Sequence, residues 1–155
     1  MSNHDENQRQ IINELLVTLF NEILDIEEDY LQEHGVKNLT VTEIHMLETI
    51  ESIENPTMSS LAKKATLTNG TVTTAIKKLE EKKCVQRIKD ERDRRIMRVI
   101  LTEKGKKAIA IHTKFHQEMI DSICSDTSSL EDKHLIDSLR NLTVFFKGFK
   151  EKNKS

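Results

Sequence analysis

A chain of 155 residues is one domain's worth of protein and too short to hold two independent catalytic lobes. Charged residues make up 32% and the hydrophobic set 36%, with four Gly, one Pro, five Phe, one Tyr and no Trp, which excludes a turn-dense β protein and predicts a mainly α chain. So polar a chain buries a thin core, and a partner subunit covering apolar helix faces is expected. No run of 18 apolar residues occurs and the first ten residues are polar and acidic, so the expectation is a cytoplasmic protein with no membrane segment. In that compartment Cys84 and Cys124 read as reduced thiols rather than a disulfide.

The net charge of −2 conceals a strong asymmetry. Residues 63–107 hold 15 Lys or Arg and 6 Asp or Glu, a balance of +9, while the rest of the chain holds 9 and 20, a balance of −11. A basic middle between acidic ends points to a segment that meets a polyanion, flanked by segments with another task such as association.

In chain order, residues 10–33 place Ile12, Leu15, Leu16, Leu19, Phe20, Ile23, Ile26 and Tyr30 at three-and-four spacing, predicting one long amphipathic helix that Gly35 ends. Thr40 and Glu43 form a capping box, with Leu39 and Ile44 as a hydrophobic staple, so a second helix is expected over 41–54. Asn55-Pro56 breaks the chain, and Thr57 caps a short third helix with Met58, Leu61, Ala62 and Ala65 inward. Thr68-Asn69-Gly70 reads as a turn, after which Val72, Ala75, Ile76 and Leu79 make the apolar stripe of a fourth helix. Two helices joined by a short turn, the second with a hydroxyl-rich and basic outer face, give a helix-turn-helix pattern.

Residues 84–89 and 96–101 read as two short strands joined by the arginine-dense loop 90–95, a β-ribbon that completes a winged helix. Thr102 caps a fifth helix carrying Ala108, Ile109, Ile111, Phe115, Met119, Ile120 and Ile123. A last helix is expected over about 129–150, with Leu130, Leu135, Ile136, Leu139, Leu142, Phe145, Phe146 and Phe149. The fold class is therefore mainly α with a small β-wing.

The string Asp93-Arg94-Arg95 followed by Leu101-Thr102-Glu103-Lys104-Gly105, set in this order of helices and wing, resembles the MarR family of winged helix-turn-helix regulators over the whole chain. The resemblance implies a winged-helix DNA-binding lobe at 40–101 and a helical dimerisation lobe from 1–39 and 102–155. It also implies a homodimer that binds a pseudo-palindromic operator on double-stranded DNA, with the fourth helix in a major groove and the wing at a minor groove.

On that footing Thr68, Asn69, Thr71, Thr73 and Thr74 are candidates to hydrogen-bond bases or phosphates, and Lys77 is long enough to meet a phosphate from the flank. Arg92 or Arg94 suits the narrow, electronegative minor groove, and the family pattern has Asp93 pairing with Arg95 to brace the loop. One position departs from the pattern. Lys83 stands where the family usually has Gly after the recognition helix; a left-handed Lys there costs roughly 1 kcal/mol relative to Gly, so a different helix end is expected.

Ile26-Glu27-Glu28, Glu43-Ile44-His45, Gly70-Thr71-Val72-Thr73-Thr74 and Lys114-Phe115-His116 further resemble the FabT-type repressors of bacterial fatty-acid synthesis. That subgroup implies a repressor whose effector is a long acyl chain on acyl carrier protein, acting as co-repressor. Leu19, Ile23, Met46, Phe115 and Met119 would suit an apolar tunnel for it.

The competing ligand is zinc, since the family also contains zinc-responsive members that use a pair such as His112 and His116, one helical turn apart. Glu27 or Glu28 and His45 would complete four ligands. A redox switch has less support, because Cys84 opens a strand and Cys124 ends an apolar face. No glycine-rich phosphate loop, His-Glu-x-x-His or Gly-x-Ser-x-Gly occurs, so no enzyme is expected and no cofactor is required.

Overall fold

The computed structural model describes residues 3–123 and 132–152, so the expectations that fall on Cys124 and Leu130 lie outside the described residues. In order, the elements are α1 (Asn3–Glu33), α2 (Val41–Glu51), α3 (Met58–Ala65), α4 (Asn69–Glu81), β1 (Val85–Lys89), β2 (Met97–Leu101), α5 (Glu103–Ile123) and α6 (Lys133–Lys152). This is the mainly helical winged-helix architecture expected from the sequence. Among the described residues, packing groups those up to Phe115 in one compact unit and those from His116 on in another.

Most boundaries follow from local chemistry. α1 begins at Asn3 rather than near residue 10, with Asp5 and Glu6 in its first turn, where a helix's exposed N–H groups favour negative charge. It ends at Glu33, and Gly35 closes the end: its φ of +86° goes with the Gly35 N–H reaching the Gln32 carbonyl and the Val36 N–H reaching that of Leu31. α2 opens with the expected capping box between Thr40 and Glu43 but stops at Glu51, short of residue 54: the Ile53 N–H tightens onto the Ile50 carbonyl at 3.3 Å and Asn55 turns left-handed, φ +52°. α3 has a capping box of its own, Thr57 with Ser60, and α4 starts at Asn69 with Thr68 as its cap, so Asn69 and Gly70 belong to the helix rather than to the turn.

In the first unit the core gathers Leu31, Val36 and Leu39 around Ile44, Leu47 and Ile50 of α2, Leu61 of α3, and Val72, Ile76 and Leu79 of α4, with Val85 and Val99 from the strands. β1 and β2 pair antiparallel from Val85 opposite Leu101 to Lys89 opposite Met97. The ribbon is joined to the start of α3 by a bridge between Thr57 and Arg98 and by the Val99 N–H donating to the Pro56 carbonyl at 3.0 Å.

Not every apolar stripe is covered. Along α1, Leu15, Leu19, Phe20 and Leu24 keep half or more of their surface open, and in the second unit Leu139, Val144, Phe145 and Phe149 of α6 do the same. Among the described residues no helix is long and apolar enough to cross a membrane.

Candidate nucleic-acid interface

The turn between α3 and α4 is tight because Thr66 adopts a left-handed conformation, φ +56°, while the Leu67 N–H closes onto the Ala62 carbonyl at 3.0 Å. A β-branched residue is strained in that region, so the packing of Leu61 and Ala62 on one side and Val72 on the other holds the angle. Thr68 then accepts the Thr71 N–H at 3.2 Å and starts α4. With Val72, Ile76 and Leu79 buried, helical spacing turns Gly70, Thr74 and Lys77 to the opposite side, flanked by Thr71 and Thr73; all five are exposed.

The hydroxyls of this face are engaged within the helix. Thr73 Oγ1 donates to the Asn69 carbonyl at 2.8 Å, Thr74 Oγ1 donates to the Gly70 carbonyl at 3.1 Å, and the Thr68 and Thr71 hydroxyls share a hydrogen bond of 2.8 Å. Beside the start of α4, Thr57, Ser59, Asn69, Arg95 and Met97 line a cleft of about 300 Å³ between the two helix starts and the wing. Ser59 was not singled out from the sequence, because nothing local marks a serine one residue into a helix as facing a wing 36 positions later.

The far end of α4 corrects the expectation of a different helix end. Lys83 does take the left-handed conformation, φ +60°; its N–H reaches the Glu80 carbonyl and the Cys84 N–H reaches that of Leu79, each at 2.9 Å, which is the usual closure with Lys in the place of Gly. α5 holds this corner. Thr102 Oγ1 donates to the Lys83 carbonyl at 2.7 Å, Lys104 Nζ to that of Lys82 at 2.8 Å, and the Thr102 N–H to that of Cys84 at 3.0 Å. Gly105 lies so close that an added Cβ would overlap the Cys84 carbonyl oxygen. The Leu-Thr-x-x-Gly string thus has a physical reason in the contact between the first turn of α5 and the end of α4.

In the wing, Arg95 Nε and N–H both donate to Asp93 Oδ1, at 3.2 and 3.0 Å, so the expected pair forms, although the Arg95 side chain is 92% exposed. The more buried brace is Asp90. Its Oδ1 accepts the N–H groups of Arg92 and Asp93 at 2.9 Å, and its Oδ2 pairs with the Arg98 guanidinium, which also donates to the Asn55 carbonyl at 2.6 Å. The Asp93 N–H, the Arg98 guanidinium and the Arg92 N–H together hold the Asp90 carboxyl below its ordinary range. Arg92 and Arg94 are left with exposed side chains at the tip.

The candidate effector residues fall in both units. Leu19 is exposed, Ile23 half-buried, Met46 and Phe115 buried, and Phe115 packs on the Tyr30 ring with centroids 5.1 Å apart. Met119 and His116, both half-buried, belong to the second unit. Glu27, His45 and His112 come together, with one potential ligand atom from each within 4.8 Å of the others. His112 is buried; its Nε2 pairs with Glu27 and its Nδ1 lies 2.5 Å from Glu48 Oε1, while the His45 ring meets it edge-on. Glu48, missed in the sequence, faces this group because it lies one turn from His45 on α2. Glu28 instead lines a different cleft with Glu33, Lys37 and Lys82. Burial pushes the Cys84 thiol up, the opposite of what a reactive thiolate needs.

Both the sequence and the fold match known proteins. Residues 39–97 match the model described as the MarR family. The HTH-type transcriptional regulator SarZ of Staphylococcus epidermidis is 32% identical over 123 residues, covering 79% of this chain and 80% of SarZ. The structure of Streptococcus pneumoniae FabT in complex with DNA superposes with a TM-score of 0.78 at 34% identity, over 91% of this chain and 99% of that one. A Staphylococcus aureus MepR mutant bound to an oligodeoxyribonucleotide shares the fold, with a TM-score of 0.62 at 23% identity over 89% and 97% of the two chains.

Proposed function

This chain belongs to the MarR family of DNA-binding transcriptional regulators and is not an enzyme, and on that premise we propose that it is a homodimeric repressor of fatty-acid synthesis genes. Each subunit sets α4 in a major groove of a pseudo-palindromic operator and its wing at a minor groove. The observation that carries the DNA-binding part is the pairing of an exposed threonine and lysine face on α4 with the exposed arginines of a wing fixed by Asp90, within the most basic stretch of the chain. The uncovered apolar side chains of α1 and α6 support self-association. Similarity to FabT over nearly its whole length supports a long-chain acyl-acyl carrier protein as co-repressor, its acyl chain held by apolar side chains such as Leu19, Ile23 and Met46. The effector shifts the spacing of the two recognition helices toward one that matches successive major grooves.

A second reading is favoured by the grouping of Glu27, His45 and His112. One carboxylate and two imidazoles are a donor set that suits zinc, and the buried Glu27 and His112 already face each other. Bound metal would supply a fixed cross-link between α1, α2 and α5. Anisotropy titration against a duplex from the chain's own promoter region separates the two. Tighter binding with long-chain acyl-acyl carrier protein alone supports the fatty-acid repressor. A change with zinc, reversed by chelator and lost in His112→Ala, makes the chain a metal sensor.

A further inference from the structure

Two threonines on the exposed face of α4 have no hydroxyl donor to offer. A threonine hydroxyl has one proton, and in Thr73 and Thr74 that proton is directed to the Asn69 and Gly70 carbonyls of the helix itself. The shared bond between Thr68 and Thr71 takes a third. Thr73 and Thr74 therefore present lone pairs and methyl groups outward, not donors, while one hydroxyl of the Thr68–Thr71 pair keeps its proton. The back-bond also fixes χ1, because it selects one of the two rotamers open to Thr in a helix, so each methyl has a set position. Beneath Thr74, one turn earlier, stands Gly70, at ordinary helical φ and with nothing but Thr68 Oγ1 near the place a Cβ would take. The space over Gly70 is thus open, so another surface can come close to this turn of α4.

In a major groove both kinds of base pair present acceptors and an amino donor, and what only an A·T pair adds is the C5-methyl of thymine. We propose that Thr73 and Thr74 read the operator through their methyl groups, selecting A·T pairs by contact with thymine C5-methyls rather than by donating hydrogen bonds to base acceptors. This rests on the reading above that α4 enters the major groove. Lys77, on the same face, supplies the charge for the phosphates, and the specificity of the face is then apolar even though its composition looks polar.

The test uses the full chain and a duplex that it selects from a random-sequence library, with binding read by fluorescence anisotropy. Each thymine is replaced singly by uracil, which removes only the C5-methyl, and each guanine by 7-deazaguanine, which removes the N7 acceptor. At one or more positions uracil should weaken binding by about fourfold, the equivalent of one methyl group no longer buried. Thr74→Ser or Thr73→Ser should cause a similar loss and abolish the uracil effect at that position, whereas the matching Val variants keep both the affinity and the effect. Unchanged thermal melts confirm that these exposed substitutions leave the fold intact.

Loss of binding in Val but not Ser variants, together with a 7-deazaguanine effect that vanishes in Val, would identify the hydroxyls as donors and overturn the proposal. Silent threonine variants alongside a weakened Lys77→Ala would overturn it while leaving α4 in the groove. If Lys77→Ala is silent as well, the groove reading falls with it.

Discussion

The Lys82 ammonium lies 2.7 Å from both carboxylate oxygens of Glu43, so the residue that closes the capping box of α2 also holds the C-cap of α4. Burial alone would raise the Glu43 carboxyl, but the hydrogen bond from Lys82 and that from the Thr40 N–H outweigh it and the net direction is down. Glu43→Gln keeps a capping side chain and loses the charge attraction, which should cost about 0.5–1 kcal/mol; Glu43→Ala loses both and should cost about 1–2 kcal/mol. Urea unfolding of these variants and of Lys82→Met, combined in a double-mutant cycle, checks the coupling. Additive effects would show that the pair contributes nothing beyond the cap.

Lys83 pays for its left-handed backbone, and replacing it removes the strain without removing a packed side chain. Lys83→Gly should stabilise the chain by about 1 kcal/mol, visible as a higher urea midpoint at unchanged slope. An unchanged midpoint would mean that the greater freedom of the unfolded glycine chain cancels the relief.

Gly105 behaves in the opposite sense. Gly105→Ala drives a methyl into the Cys84 carbonyl, so α5 must move off the end of α4, at a cost of about 1–3 kcal/mol. DNA affinity should fall with stability, because Thr102 and Lys104 hold the closing carbonyls of the recognition helix from that same turn. A stable Gly105→Ala protein would show that α5 does not need this close approach.

Asp90 sets the acid limit of the wing. Its folded pKa lies below the ordinary value, so its contribution is fully present above the unfolded pKa of about 3.9 and is lost as pH falls through the lower, folded value. The amide signals of Arg92 and Asp93, whose N–H groups Asp90 accepts, should therefore hold steady between pH 7 and roughly 5 and titrate only below about 3.9. Titration at or above the ordinary aspartate value would remove Asp90 as the brace.

With the loop held from beneath, the exposed wing arginines are free to meet DNA. Arg94→Ala should weaken operator binding by about 1–3 kcal/mol and make it less sensitive to salt. Unchanged affinity and salt slope would move the minor-groove contact to Arg92.

The architecture was legible wherever a signal is local. Thr40 with Glu43, Thr57 and Thr102 mark helix starts through side-chain hydrogen bonds to backbone three residues on, and all of them cap as read. The start of α1 escaped because its first turns carry polar residues with no apolar period, although Asp5 and Glu6 suit a helix N-terminus. At the site, sequence gave the threonine face and the wing arginines but not their supports. Asp90 and Arg98 meet across the ribbon and at the Asn55 carbonyl, and Glu48 meets His112 across 64 positions; such pairs exist only once the elements have packed. The inward turn of the Thr73 and Thr74 hydroxyls is likewise a rotamer choice, invisible in composition.

The open apolar stripes of α1 and α6 have a consequence for how much working regulator a cell contains. In the proposed homodimer, pairing and folding draw on the same buried surface, so the melting temperature should climb with protein concentration. Chains that find no mate stay less stable and are cleared sooner by proteases. The supply of active dimer then falls more steeply than the rate of synthesis, which gives the switch a sharper threshold than its affinity for DNA alone would set.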